Sequence, residues 1–236
     1  VKLSPSLKNE TWLTFPPEQK WVNDGWWGGH WETVPQDKNA WDGCIMDRDQ
    51  PNDTNDIAPN ASVSSTLYPA HKCNNNNSTL AQITPLKTLS ASNNSAANQL
   101  KAAINAMQPS GNTNVTIGVQ WGMAMLSKQA PLTEATSPAD EPEITKHMIV
   151  LTDGDNTQNR WTSSQNSIDA RTKLACTSAK NLGYRVWTVR VIDGNETLLR
   201  DCASAPGQYF NVNTAAQLTS VFRSIASQIG NIRITH

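Results

Sequence analysis

The residues best placed for chemistry are Thr152-Asp153-Gly154-Asp155-Asn156-Thr157, which follow the apolar run His147-Met148-Ile149-Val150-Leu151. A carboxylate just past the end of a strand is free of the backbone ladder and sits near helix N-termini. Oxygen donors placed there suit a hard divalent cation. Upstream, Gly111-Asn112-Thr113-Asn114 opens a helix. The Thr113 hydroxyl either joins the same cation or caps that helix. A different chemistry is offered by the aromatic residues. Six of the nine Trp fall between Trp12 and Trp41. Trp21, Trp26, Trp27 and Trp31 are dense enough to form a platform on which sugar rings stack. The competing reading, which the sequence favours, is that these rings pin a long insertion to the core.

The cysteines point to covalent staples. None of Cys44, Cys73, Cys176 and Cys202 forms a C-x-x-C, and no His stands at zinc-finger spacing to them. Four cysteines allow three pairings, and their order along the chain favours Cys44–Cys73 and Cys176–Cys202. Disulfides place the chain in an oxidising compartment.

These residues need elements to position them. Residues 1–92 are irregular and rich in Trp, Asn, Asp and Pro, with short strands expected at Trp12–Phe15 and Gly43–Met46. Beyond them the signals alternate. Helical spacing runs through Ala97, Leu100, Ala103, Ile104 and Met107, then through Val115, Val119, Met123 and Leu126. His147–Thr152 has the length and apolarity of a buried parallel strand. A helix is predicted over about 164–182, stopped by Gly183, and a strand over Arg185–Ile192. A short helix (196–203), a strand at Tyr209–Val212, a helix over Thr214–Gln228 and a last strand at Ile232–Ile234 complete the pattern. Alternating helices and strands imply an α/β fold, a doubly wound and mostly parallel sheet covered on both faces.

Composition excludes several classes. The 236 residues carry 19 basic and 20 acidic side chains, a formal net charge of −1, with no basic stripe for nucleic acid. No polybasic helix marks a membrane surface, and no run is long and apolar enough to span one. The phosphate-loop, dinucleotide, nucleophile-elbow and zinc-protease motifs are absent. One enzyme reading survives. Asp153-Gly154-Asp155-Asn156-Thr157 fits the D-x-D-x-T of haloacid-dehalogenase-type phosphotransferases, with Asp153 as nucleophile and Asp155 as general acid. Its place deep in the chain argues against that, because the motif normally opens its domain. His30, His71, His147 and His236 are scattered, and His147 reads as a packed or surface residue.

Gly-Asn-Thr-Asn at 111–114 and Ile-Val-Leu-Thr-Asp-Gly at 149–154 resemble, in order, the Thr and Asp stations of the metal-ion-dependent adhesion site of the von Willebrand factor A family. Trp41-Asp42-Gly43-Cys44 with Arg48, Gln120-Trp121-Gly122, Val150–Asn156, the segments around Cys176 and Cys202, and the tail Ile232–Thr235 resemble TadG-like proteins of the tight-adherence (Flp) pilus system. The resemblance covers nearly the whole chain. It implies a single A-type domain over residues 1–236 with an irregular, Trp-rich, disulfide-closed insertion at about 4–92.

It also implies a function. The expected activity is non-enzymatic protein recognition in pilus assembly or adhesion. A Mg2+ or Mn2+ held by Asp153 and Thr113, with Asp155 holding a metal-bound water, would accept a partner's carboxylate. Pilus or envelope components are the implied partners. The implied location is the periplasm or cell surface, with an inner-membrane anchor upstream. The sequence departs from the family in one respect: the D-x-S-x-S loop is missing. The nearest string, Asn60-Ala61-Ser62-Val63-Ser64, lacks a preceding strand and reads as an ordinary polar loop. The family order places the true loop, with the first strand and helix, before Val1. The metal site is therefore expected to be incomplete within this chain and to be complemented by that missing N-terminal segment.

Overall fold

The computed structural model describes residues 1–73, 79–90, 92–137 and 139–231, with the backbone alone for Trp27, Ala215 and Asn231. The predicted strand at Ile232–Ile234 lies outside these residues. The chain forms two compact units. One comprises Val1–Asn52, Ile57–Gly111 and Gln129–Glu134; the other comprises Asp53–Asp56, Asn112–Lys128 and the residues from Ala135 onward.

The first unit has little regular structure because its sequence lacks a sustained apolar period. Strand β1 (Leu13–Thr14) pairs in parallel with β4 (Tyr68–Pro69), and β2 (Glu18–Asn23) pairs with β3 (Gly29–Val34) as an antiparallel hairpin. The strand expected at Gly43–Met46 is reduced to isolated bridges, Lys2 to Cys44 and Ile45 to Ala70. A small core of Leu3, Trp12, Leu13, Trp41, Ile45 and Tyr68 forms around them. Trp41 Nε1 donates to the Cys44 carbonyl at 2.9 Å, which satisfies the one polar atom of a buried indole. Arg48 is buried beneath the Tyr68 ring, and its Nη2 donates to the carbonyls of Ile57 and Thr66 at 2.8 and 2.6 Å. The Cys44–Cys73 disulfide closes the loop as expected. Helix α1 (Ser95–Asn105) follows the predicted spacing but buries none of its residues.

The second unit is an α/β layer structure. Its elements are α2 (Val115–Leu126), β5 (His147–Thr152), α3 (Gln165–Asn181), β6 (Arg185–Val191), α4 (Glu196–Cys202), β7 (Tyr209–Val212) and α5 (Ala215–Asn231). The sheet order is β5-β6-β7 and both pairings are parallel. Successive side chains on a strand point to opposite faces. Met148, Val150 and Val186 therefore pack on one side with Val119, Met123, Ala175, Cys176 and Leu198. Trp187, Val189 and Val212 pack on the other with Ile225 of α5. Gly183 takes φ +80°, a left-handed conformation that ends α3 without a Cβ clash. Cys176 and Cys202 are bonded, joining α3 to α4.

One expectation about β5 is corrected. The strand is not buried on both faces, because its burial alternates and Ile149 and Leu151 are 39% and 45% exposed. They lie in register with Trp187 and Val189, so they continue the α5-side face of the sheet. Among the described residues β5 is the edge strand, and no helix of the unit covers that end of the face.

The Lys146 ammonium lies over the Tyr184 ring and donates to the Leu126 carbonyl. Burial, followed by the negative charge of Asp56, pushes the Tyr184 phenol from 10.0 up to about 12. The folded state thus keeps the proton longer than the unfolded chain. Its stabilising contribution is full below pH 10 and is lost as pH rises towards 12. Unfolding at pH 11 is expected to be easier by about 1.4 kcal/mol from this group. Denaturant titrations of the wild type and Tyr184→Phe at pH 9 and 11 check it, and the variant should lose less stability between them.

Candidate metal site at the carboxyl end of β5

The loop after β5 is held by hydrogen bonds that leave its carboxylates free. The Thr152 hydroxyl donates to the Gly154 carbonyl at 2.9 Å, which turns the chain sharply out of the sheet. Asn156 is buried and anchors the loop on two helices. Its Oδ1 accepts from the Val115 N–H at the start of α2 (2.7 Å), and its Nδ2 donates to Asp169 and Thr172 of α3 (2.7 and 3.2 Å). The second Asp169 oxygen accepts from Asn195 Nδ2 at 2.8 Å, which ties in the N-cap of α4. The Thr157 hydroxyl accepts from the Thr113 N–H at 2.8 Å, and the Thr113 carbonyl accepts from the Thr157 N–H at 2.9 Å. The two segments singled out by sequence, 111–114 and 152–157, are therefore pinned to each other.

The two readings of Thr113 are now distinguished. Asn114, not Thr113, caps α2, its side chain accepting from the Ile117 N–H at 3.3 Å. The Thr113 hydroxyl has no hydrogen bond among the described residues, and neither carboxylate of the exposed Asp153 and half-buried Asp155 has one. Thr113 and Asp153 line one open groove of about 400 Å³ that runs along β5 from Met148 and along the Gly118 and Gly122 positions of α2. A Cβ at Gly122 would stand 3.0 Å from the Met148 methyl, so the glycine lets helix and strand approach closely. A Cβ at Gly154 would lie 3.9 Å from the Thr113 hydroxyl, so Thr113 stands beside the loop that carries Asp153.

This donor set fits part of a magnesium-type site. A neutral hydroxyl and a carboxylate are hard oxygen ligands, and a second carboxylate two residues on can hold a bound water. An octahedral cation needs six oxygens, so the rest must come from water and from other groups. The only group of three potential ligands found among the described residues, Asp42 with Cys44 and Cys73, includes the disulfide sulfurs and is not a metal site. Asn60–Ser64 folds as a turn on its own hydrogen bonds, with Asn60 Oδ1 accepting from the Ser62 N–H at 2.9 Å.

Sequence reading did not single out the support of this site. Asp169 and Thr172 fall inside the helix predicted over about 164–182 and Asn195 just before the one at 196–203, and their local spacing does not mark them. Polar residues on an otherwise buried helix face were the available signal, since Thr116 and Thr172 share a 2.8 Å hydrogen bond inside the core. The aromatic residues are placed differently from the reading the sequence favoured. Trp21, Trp26 and Trp31 do not pin the insertion to a core but stand in solvent, while Trp12 and Trp41 are the buried ones. The side chain of Trp27 lies outside the described ones.

A parallel sheet with helices on both faces, and oxygen donors gathered beyond the carboxyl end of one strand, defines a doubly wound ligand-binding domain. The sequence profile of the von Willebrand factor type A domain matches residues 75–224, more than half of the chain. The chain belongs to that family, whose domains are typically binding modules without catalytic machinery. A sequence search against curated proteins finds no match. Two solved structures are similar to part of the chain. Proximal thread matrix protein 1 (PTMP1) from the mussel byssus gives a TM-score of 0.38 at 18% identity, over 54% of this chain and 27% of that one. The pilus adhesin SpaC from Lactobacillus rhamnosus GG, in its open conformation, gives 0.43 at 20% identity, over 56% and 21%. The match therefore spans about a quarter of those chains' length. The two disulfides fit an extracellular or periplasmic setting. No helix among the described residues is long and apolar enough to cross a membrane.

Proposed function

We propose that this A-type domain is a non-enzymatic protein-binding module of a TadG-like protein, acting in tight-adherence pilus assembly or surface adhesion. In this reading it faces the periplasm or cell exterior and is anchored through an upstream membrane segment. The observation that carries the proposal is the meeting of Thr113 and Asp153 on one groove, each with side-chain oxygens that have no hydrogen bond among the described residues. A Mg2+ or Mn2+ held there supplies a concentrated positive charge that a partner's carboxylate can reach. Asp153 would ligate directly, Thr113 would add its hydroxyl, and Asp155 would orient a water. The hydrogen bonds of Asn156 and Thr157 hold these donors in place without consuming them.

The same reading accounts for the exposed edge of β5. An upstream segment of the protein, running as a strand beside β5, would pair the N–H and C=O groups that have no strand partner among the described residues and supply the remaining ligands. Its helix would cover Ile149 and Leu151. Unpaired strand edges and bare apolar faces are unfavourable in a mature domain. Residues 1–236 then form one A-type domain lacking its first strand, with the insertion at about 4–92.

Calorimetric titration of Mg2+ and Mn2+ into the protein, with its upstream segment and without it, tests the proposal. Saturable binding that Asp153→Ala abolishes and Thr113→Ala weakens is the expected outcome. Binding unchanged by Asp153→Ala, or no binding even with the upstream segment present, would refute the cation mechanism.

A further inference from the structure

The β2–β3 hairpin carries a second surface, independent of the site on β5. Trp21 and Trp31 are 50% and 64% exposed, and Trp26 at the hairpin turn is fully exposed. Large aromatic residues gathered in water mark a contact surface rather than a folding requirement. The register sorts the hairpin into two faces. Trp21 stands opposite Trp31, Gln19 opposite Thr33, and Asn23 opposite Gly29, and all six belong to one face. Lys20 opposite Glu32, Val22 opposite His30, and Glu18 opposite Val34 make the other. Every charged side chain of the two strands is on that second face. There the His30 ring contacts Glu32 at 3.1 Å and Asp24 of the turn at 2.8 Å.

The tryptophan face is therefore uncharged and flanked by neutral hydrogen-bonding groups. The two indoles meet edge-to-face, with ring centroids 5.3 Å apart and planes at 65°, which fixes their orientation. A Cβ at Gly29 would lie 2.6 Å from the Trp21 ring, so the indole is seated on bare backbone. Gln19 Nε2 donates to the Thr33 hydroxyl oxygen at 2.6 Å, which leaves the Gln19 carbonyl and the Thr33 proton to bond outward. Asn23 Oδ1 accepts from the Gly25 N–H at 2.9 Å, which leaves its amide protons at the other end of the pair.

This chemistry matches one class of ligand. A pyranose ring presents a flat patch of C–H bonds, slightly positive against the negative face of an indole, rimmed by hydroxyls that both donate and accept. An ionic ligand would find no counter-charge on this face. Residues 18–34 hold Glu18, Asp24 and Glu32 against Lys20 and the titratable His30, so the hairpin offers no net positive charge to anionic lipid headgroups or acidic polysaccharides. We propose that the Trp21–Trp31 face of the hairpin binds a neutral oligosaccharide, with one sugar stacked on an exposed indole and its hydroxyls bonded by Gln19, Thr33 and Asn23. This goes beyond the protein-binding reading and does not depend on the cation site.

The test is a calorimetric and tryptophan-fluorescence titration of the whole chain with cellohexaose, mannohexaose and chitohexaose. The expected result is saturable binding of at least one of them, weakened about tenfold or more by Trp31→Ala and by Trp21→Ala. Trp31→Phe should recover part of the loss, and Lys20→Ala on the opposite face should change nothing. An unchanged unfolding midpoint in the variants shows that the fold is intact. Failure of all three sugars to bind, or binding indifferent to both tryptophans, would overturn the proposal. So would a hairpin that takes up phosphatidylglycerol vesicles or a second copy of the chain in a tryptophan-dependent way while ignoring the sugars.

Discussion

Asp53→Ala is expected to lower the unfolding free energy by about 3–5 kcal/mol, the range for removing one partner of a buried ion pair. Asp53 is only 2% exposed, and its two carboxylate oxygens receive the Nε and Nη2 of Arg171 on α3. The Nε contact measures 2.9 Å, and the two groups are 118 positions apart in sequence. A bidentate guanidinium–carboxylate pair has good geometry, but each ion has given up most of its water. Deleting the carboxylate leaves a guanidinium that is largely buried and has lost its counter-charge. Replacing both partners should cost less than the single change, because no unpaired charge then remains. Urea titrations of Asp53→Ala, Arg171→Leu and the double variant give the coupling directly. A double-variant loss equal to the sum of the two single losses would show that the pair contributes nothing beyond its packing. The pair holds the short segment Asp53–Asp56 to the helix that also carries Asp169 and Thr172, the supports of the site loop.

The second large effect is expected from the disulfide between α3 and α4. Replacing both Cys176 and Cys202 by Ala should cost about 3–4 kcal/mol, from the 26-residue separation that the bond constrains in the unfolded chain. Both sulfurs sit in the core among Val119, Met123, Ala175, Ala179 and Leu198, so the native state also loses packing. The two bridges should differ in access. Cys176 and Cys202 are fully buried, whereas Cys73 is half-buried at the surface of its loop. A thiolate reagent must reach a sulfur to exchange with it. Mild dithiothreitol under native conditions should therefore open Cys44–Cys73 first, read by alkylation and mass spectrometry. Simultaneous opening of both would mean that the second unit unfolds globally before its bridge is attacked.

Much of the second unit was legible in the sequence, for a physical reason. Helix and strand periods are local properties, and a run such as His147–Thr152 between polar loops permits few alternatives. The predicted strand is β5 to the residue, and α2, α3, β6, α4 and β7 fall within a residue or two of expectation at each end. The first unit was less readable. Its hairpin strands have no apolar alternation, since Glu18–Asn23 and Gly29–Val34 are mostly solvated, and the turn residues between them were the only local signal. The site was half legible. The Thr and Asp stations follow from motif order, but the choice between Thr113 and Asn114 as helix cap is a matter of backbone angle, which a sequence does not display.

By itself the sequence determined the order of helices and strands, the favoured pairing of four cysteines and the family, and it singled out Thr113 and Asp153. Each of these rests on residue type at short spacing. Only the tertiary structure decided that Trp21, Trp26 and Trp31 face water while Trp12 and Trp41 are buried. It alone brought Asp53 to Arg171, set Asn156 on Asp169 and, among the described residues, left Ile149 and Leu151 of β5 partly exposed. Those outcomes depend on which groups meet across long stretches of chain. Burial and pairing free energies arise only when the partners are in place, and local spacing does not encode that.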